Sequence, residues 1–308
     1  MSFTQNRKKI AILLAAYNGI SWLDEQLKSI LAQPGVEVAV YVSVDQSTDN
    51  TLQWCREFAK DDNRVTVLQT ADRFGGAAKN FFHLIREVDF SSYDYIAFAD
   101  QDDVWLPNKL SRACEVLSET HADAYSSNVM AFWADGRESL IAKSQPQVKW
   151  DFLFEAAGPG CTYVFTCALA MNFKAKLKEN WSLAQSIELH DWLLYAFARA
   201  NQFKWVIDDC ANMRYRQHEK NQVGVNQGWQ AKKQRLSKLL SGWLFHQSTL
   251  IADFVGLSAH SFVRPWQAGN RTGFGFLAVN FYKCRRRMSE KAVFLVLCLV
   301  FMIKGKGK

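Results

Sequence analysis

The sequence predicts an α/β fold: a doubly wound, mostly parallel sheet carrying a basic helical C-terminal extension. Three observations point there. Apolar runs of strand length alternate with helix-length amphipathic segments through the first hundred residues, polar clusters follow the apolar runs, and the charge reverses sign late in the chain. Strands buried on both faces read as unbroken apolar runs, and their alternation with helices is the pattern of a parallel sheet covered on both sides.

Taken in order, Ile10 to Ala16 is a first strand, and Ser21 to Leu31 is a helix with Leu23, Leu27 and Ile30 on one side. Val36 to Val44 is a second strand, Thr51 to Ala59 a helix, Arg64 to Leu68 a strand, Ala77 to Val88 a helix and Tyr95 to Ala99 a further strand. The basic N-terminus imitates a signal peptide, but a short apolar run leading straight into Tyr17-Asn18-Gly19 suits a buried strand ending in a turn. With 308 residues, 49% of them hydrophobic, and only 5 Pro and 16 Gly, disorder, collagen-like repeats and a polytopic membrane protein are excluded. Seven scattered Cys without a CxxC pair argue against a disulfide framework or structural zinc and fit a reducing cytosol.

Residues 1–203 carry 19 Lys and Arg against 25 Asp and Glu, whereas residues 204–308 carry 18 against 5. A basic final third implies an anionic partner. Lys232, Lys233, Arg235 and Lys238 are interleaved with Leu236, Leu239, Leu240, Trp243, Leu244 and Phe245 at the spacing of one helix face. Further on, Lys283 to Arg287 precede twelve unbroken apolar residues, Ala292 to Ile303, and Lys304, Lys306 and Lys308 follow. A bilayer-spanning helix needs about 20 residues, so the expected partner is an anionic membrane surface on which this segment lies, rather than nucleic acid. A terminal helix docked on the protein core is the alternative. The expected division is a catalytic domain over 1–224 and a membrane-associating region over 225–308.

In doubly wound sheets ligands bind beyond the carboxyl ends of the strands, and the polar clusters lie there: Tyr17-Asn18-Gly19, Asp45 to Asn50, and Asp100-Gln101-Asp102-Asp103. Neither GxGxxG nor GxxxxGK[ST] occurs, so no glycine loop of those kinds cradles phosphate. Carboxylates repel a diphosphate unless a divalent cation lies between, and three of them within four positions make a good magnesium or manganese site. Asp45 sits too far ahead of the helix at Thr51 to cap it, which leaves hydrogen bonding to a nucleotide base, with Tyr17 bordering or stacking on the same base.

The motifs Ala15 to Gly19, Val44 to Thr51, Gly75 to Phe81, Asp100 to Trp105, His190-Asp191-Trp192, and Tyr215 to His218 through Asn221 to Gly224 occur in one order over residues 10–224. With them the chain resembles the inverting GT-A glycosyltransferases of the family-2 type, in the rhamnosyltransferase-like branch. The resemblance implies a Rossmann-like GT-A fold in which Tyr17, Asn18, Asp45, Gly75, Asn80 and Asp100 bind the donor nucleotide. It implies that Asp100 and Asp102 form a DxD pair near ribose and metal, that Asp103 shares the metal or braces the loop, and that His218 lies near the diphosphate or metal. Gln46 departs from relatives that carry a second acid there. Trp105, Gly160, Thr162, His190 and Trp192 are expected near donor sugar and acceptor, and the turn Gly158-Pro159-Gly160 also reads as a plain tight turn.

Inverting transfer needs a base on the attacking side and positive charge on the leaving side. Asp191, followed by an indole, is the expected base, with helix capping as the alternative; His190 either orients it or packs. The expected donor is a dTDP- or UDP-sugar, rhamnose being the candidate sugar. The expected acceptor is a polyprenyl-diphosphate-linked saccharide of a surface polysaccharide, and the expected location is the cytoplasmic face of the bacterial inner membrane. Two other readings remain. The run Tyr95 to Val104 also fits the signature of magnesium-dependent haloacid-dehalogenase-type phosphatases, and a non-catalytic sugar-nucleotide-binding membrane protein would share the same residues.

Overall fold

The computed structural model describes residues 7–69, 73–218, 233 and 237–304. Four parallel strands, β1 (Lys8–Ala16), β2 (Val36–Val44), β3 (Val65–Val67) and β4 (Tyr95–Asp100), lie in the order β3-β2-β1-β4. The crossovers are α1 (Leu23–Leu31), α2 (Thr51–Asp61) and α3 (Ala77–Glu87), and every expected boundary in this half falls within two residues of the observed one. The reason is visible in β1. Ile10, Ile12 and Leu14 feed one core and Ala11 and Leu13 the other, all of them fully buried, so alternation sends apolar side chains to both faces.

Beyond β4 come β5 (Val104–Trp105), α4 (Lys109–Thr120), β6 (Ala124–Trp133), β7 (Glu138–Ile141) and β8 (Val164–Thr166). They are followed by α5 (Cys167–Glu179), α6 (Trp181–Ala184), α7 (His190–Ala200) and β9 (Trp205–Gln217). The sheet continues β4-β8-β6-β9-β5, with β7 beside β6 and with β8 antiparallel to both of its neighbours. Strand β9 runs parallel to β6 and then pairs Met213 and Arg214 with Trp105 and Val104. That pairing brings the end of β9 over the acidic loop after β4.

The C-terminal helices α8 (Trp243–Phe254), α9 (Arg264–Gln267), α10 (Arg271–Val279) and α11 (Met288–Lys304) share the core of α3, α5 and α7. Leu244 and Phe245 are buried in it, which corrects the expectation of an outward apolar face there; Lys238 instead lies 3.8 Å from the Trp243 ring centroid and pairs with Glu188 at 3.2 Å. Asn221 to Gly224, Lys232, Arg235, Leu236, Lys306 and Lys308, and with them the expected boundary at residue 224, lie outside the described residues. Helix α11 buries Phe294, Leu297 and Cys298 and exposes its opposite side.

An ion network fastens this region. Asp151, fully buried, accepts from Tyr195 Oη at 2.9 Å, Arg199 at 3.1 Å and Arg286 at 3.3 Å. The Arg286 amide donates to Glu155 at 2.6 Å and its guanidinium to the Ala156 carbonyl at 2.7 Å. Arg285 donates to the Phe154 carbonyl and to Glu290. Burial opposes the Glu290 charge, but Arg285 and Lys143 outweigh it and hold the carboxyl down at about 2.

Candidate active site

The loops after β1, β2 and β4 meet at one edge of the sheet. Asn18 joins the first two: its amide donates to Ser47 Oγ at 3.0 Å, and its side-chain oxygen accepts from the Thr48 amide at 2.7 Å. Gln101 joins the first and third, accepting from the Tyr17 amide at 2.8 Å and donating to the Tyr17 carbonyl at 2.9 Å. Gly19 must be glycine for this, because a Cβ there would lie 2.1 Å from Gln101 Oε1. The Tyr17 ring is left exposed at the rim.

Asp45 is buried, and its oxygens accept from the amides of Gln46 at 2.8 Å, Phe74 at 2.8 Å and Gly75 at 2.9 Å. The carboxylate therefore draws the loop before α3 towards β2. Asn80 does not line the edge: it is buried and donates to the Ser43 carbonyl at 3.0 Å, tying α3 to the end of β2.

The Asp100-Gln101-Asp102-Asp103 loop concentrates negative charge. Burial, then Asp102, then Asp191, raise Asp100 to about 7. Burial, Asp102 and Asp100 hold Asp103 well above the usual carboxylate range. Asp103 is fully buried, with one oxygen accepting from the Arg216 amide at 3.1 Å and the other without a hydrogen-bond partner. Asp102 lies 2.7 Å from His218 Nε2, and the imidazole stacks on Trp22 with ring centroids 4.3 Å apart. Arg216 donates from Nε to the Asp102 carbonyl at 2.8 Å and pairs with Glu25. Behind the loop, burial lowers Lys109 to about 8 while Cys161 and Asp103 oppose that shift; its ammonium stands 3.8 Å from the Trp105 ring centroid.

Asp191 enters the same electrostatic field from the other side. It lies in the first turn of α7, which begins two residues earlier than the Trp192 start that capping by Asp191 requires; the cap position is Leu189, so Asp191 is not the capping residue. Burial raises it to about 6 against hydrogen bonds from backbone amides, among them Trp192 at 2.7 Å. Gly160 packs directly against it: a Cβ there would lie 2.9 Å from Asp191 Cβ and 2.9 Å from His190 Nε2. His190 is a packing residue, stacked on Phe81 at 3.8 Å and lowered by burial to about 3, hence neutral.

Three residues expected near sugar or acceptor lie in the interior instead. Trp192 is buried with its indole donating to the Phe152 carbonyl at 2.9 Å, Trp105 is buried in the core beneath β5, and buried Thr162 donates to the Pro159 carbonyl at 2.7 Å. Aromatic and hydroxyl side chains adjacent to a motif fill the core more readily than they reach a cavity. Gln101, Lys109, Cys161 and Arg216 also shape the site; Gln101 inside the acidic motif and Arg216 inside the Tyr215 to His218 motif carry a sequence signal, whereas Lys109 carries none.

The donor set suits a hard divalent cation. Asp100, Asp103 and Cys161 bring ligand atoms within 4.8 Å of one another, the unpartnered Asp103 oxygen adds an unsatisfied acceptor, and the carboxylates raise one another. Cys161 is held well above the ordinary thiol range by burial first, so oxygen ligands remain, as magnesium and manganese prefer.

Residues 11–181 match the family model described as glycosyl transferase family 2. The chain is 43% identical over 291 residues to the dTDP-rhamnosyl transferase RfbG of Shigella flexneri, covering 94% of this chain and 100% of that protein. It is 26% identical over 184 residues to the Escherichia coli UDP-Glc:alpha-D-GlcNAc-diphosphoundecaprenol beta-1,3-glucosyltransferase WfgD, covering 58% of this chain and 69% of that one. Among solved structures, S. aureus TarS 1-349 in complex with UDP superposes with a TM-score of 0.56 at 19% identity, covering 96% of this chain and 88% of that chain. The mannosyltransferase PcManGT from Pyrobaculum calidifontis, in complex with GDP-Man and Mn2+, gives 0.51 at 16% identity, covering 97% and 88%. These two likenesses show a shared fold. The family match also removes the phosphatase reading of Tyr95 to Val104.

Proposed function

The chain belongs to glycosyl transferase family 2, and from that premise we propose that it transfers rhamnose from dTDP-rhamnose, with inversion, to a polyprenyl-diphosphate-linked saccharide in surface polysaccharide synthesis. The Shigella relative's name supports the donor, and the diphosphoundecaprenol in the name of the E. coli relative supports the acceptor class. The protein works as a peripheral enzyme at the cytoplasmic face of a bacterial inner membrane. No helix among the described residues is long and apolar enough to cross one.

The observation that carries the reading is the pairing of two acidic elements in one field: Asp191 on one side, and Asp100 with Asp102 and Asp103 on the other. An acceptor hydroxyl beside Asp191 loses its proton to that carboxylate as its oxygen bonds to the anomeric carbon. The bond from that carbon to the diphosphate breaks, and its electron pair leaves with the nucleotide. A carboxyl raised to about 6 is mostly ionised at neutral pH yet basic enough to accept the proton in the transition state. Asp45 and the amides it gathers position the nucleotide, and Tyr17 borders it. Asp100, Asp102 and Asp103, with His218 beside them, would hold a divalent cation, and it would supply positive charge to the leaving diphosphate.

The test is transfer from dTDP-rhamnose to a polyprenyl-diphosphate saccharide, followed by mass spectrometry with and without manganese. A product heavier by one deoxyhexose, formed only with the ion and with the opposite anomeric configuration, is expected. Transfer from a UDP-sugar alone would overturn the donor assignment, and equal transfer after chelation would overturn metal dependence.

A further inference from the structure

The C-terminal helix carries a surface that catalysis does not use. Helix α11 docks through Phe294, Leu297 and Cys298, while Met288, Val293, Val296 and Ile303 on its outer side are 74%, 55%, 60% and 72% exposed, with Leu299 between them. At 100° per residue these positions fall within one arc of roughly 140°, and the helix is about 26 Å long. Soluble surfaces rarely leave so long an apolar stripe to water.

Charge decides what covers it. Glu290 is the only acid of α11, and it is turned inward to Arg285 and Lys143. Lys304 and Lys291 flank the arc on its two sides, and the exposed Arg287 precedes the helix. An apolar stripe fringed by cations alone matches a bilayer interface of anionic lipid, where apolar side chains enter the acyl boundary and basic ones meet headgroups. A second copy of this chain, related by a two-fold axis, would set those cations against each other.

We infer that the outer face of α11, from Met288 to Ile303, is the surface that seats this protein on an anionic membrane, with the helix lying in the interface plane. This rests on the peripheral-membrane reading above and gives it an orientation. Arg285 and Arg286, just ahead of α11, bind the Phe154 and Ala156 carbonyls, in the segment that leads to Gly160 beside Asp191. A bilayer beneath α11 therefore stands in a fixed orientation to the proposed base.

The experiment is cosedimentation of the full chain with vesicles of phosphatidylglycerol and phosphatidylethanolamine, or of phosphatidylcholine alone, at two salt concentrations. The wild type is expected to partition onto the anionic vesicles in a salt-sensitive way. The double variant Val296→Glu with Ile303→Glu is expected to lose at least tenfold in partition while keeping its melting temperature, since both side chains are exposed. Lys291→Glu with Arg287→Glu provides a second variant that leaves the apolar stripe intact, with a several-fold loss expected. Wild-type binding that neither variant weakens would leave the membrane reading standing and overturn this face. Absence of wild-type binding would overturn both, and a dimer in solution that Val296→Glu dissociates would assign the face to a second copy.

Discussion

Buried acids occur in two regions of this molecule under opposite conditions. Around Asp151, each carboxylate faces guanidinium groups: Arg199 and Arg286 on Asp151, Arg286 on Glu155, Arg285 on Glu290. At the sheet edge, Asp100 and Asp103 are raised first by burial and then by neighbouring carboxylates, Asp191 is raised by burial, and no guanidinium or ammonium ion-pairs with any of the three among the described residues. Compensated charge locks elements together, whereas uncompensated charge is tolerated where a ligand completes it. The contrast lies in the partners and not in the direction of the shift, since burial raises Glu155 too although Arg285 and Arg286 oppose it.

One chemical change made in both regions tests this. Asp191→Asn is expected to reduce transfer by about 10³-fold, within the range for loss of a general base, while donor binding, measured by calorimetry, stays unchanged. Its melting temperature should not fall at neutral pH. A carboxyl raised to about 6 from its ordinary value ionises at the expense of the fold, so that cost is fully present above pH 6 and disappears as the pH drops through the ordinary range. In the wild type kcat/KM should fall about tenfold per unit below pH 6, because the protonated form cannot accept a proton. Asp151→Asn should do the reverse. It weakens the compensation of a buried Arg286 and is expected to cost about 3 kcal/mol of stability by denaturant unfolding, with activity per folded molecule little changed. Equal stability losses at the two positions would break the comparison.

A smaller effect is expected at Gly160. A methyl group there meets Asp191 and neutral His190 at 2.9 Å each, so Gly160→Ala must displace the base. A shift of that kind costs on the order of 10²-fold in kcat, with KM for the donor nearly constant. A drop in donor affinity without a drop in kcat would show that Gly160 serves the nucleotide instead.

The first half of the fold was legible because each strand announces itself twice, by an apolar run and by the polar cluster after it. Asp45, Asp100 and Asp191 stand out for the same reason: acids directly beyond or beside apolar segments have few structural roles. Trp105, Trp192 and Asn80 misled, since a motif marks a stretch of chain and not the direction of each side chain. Trp192 follows Asp191 by one residue and turns into the core. The contacts of Arg216 were illegible although its motif was not, because they depend on β9 returning to pair with β5 over the acidic loop, a contact between residues 104 and 214 that no local pattern encodes. The role of the basic C-terminal helices was half legible: composition gave the charge, but only packing shows that Leu244 and Phe245 face inward while α11 keeps an apolar side outward.

The smallest expected effect concerns the neutral hydrogen bonds that hold the acidic loops in register. Asn18 has φ 47°, a left-handed conformation that asparagine tolerates better than most residues, and its side chain accepts from the Thr48 amide. Asn18→Gly keeps the backbone conformation available and deletes only the side chain, so stability should fall by about 1 kcal/mol, the usual net worth of such a bond. Asn18→Ala deletes the same bond and adds the steric penalty of the left-handed region, about 1 kcal/mol more. If the stitch between the β1 and β2 loops shapes the donor site, KM should rise several-fold in both variants and kcat should hold. If KM instead tracks the stability difference between them, Asn18 acts through the backbone, and the loops after β1 and β2 are held together by the amide bonds of Asn18 to Ser47 and of Gly19 to Thr51.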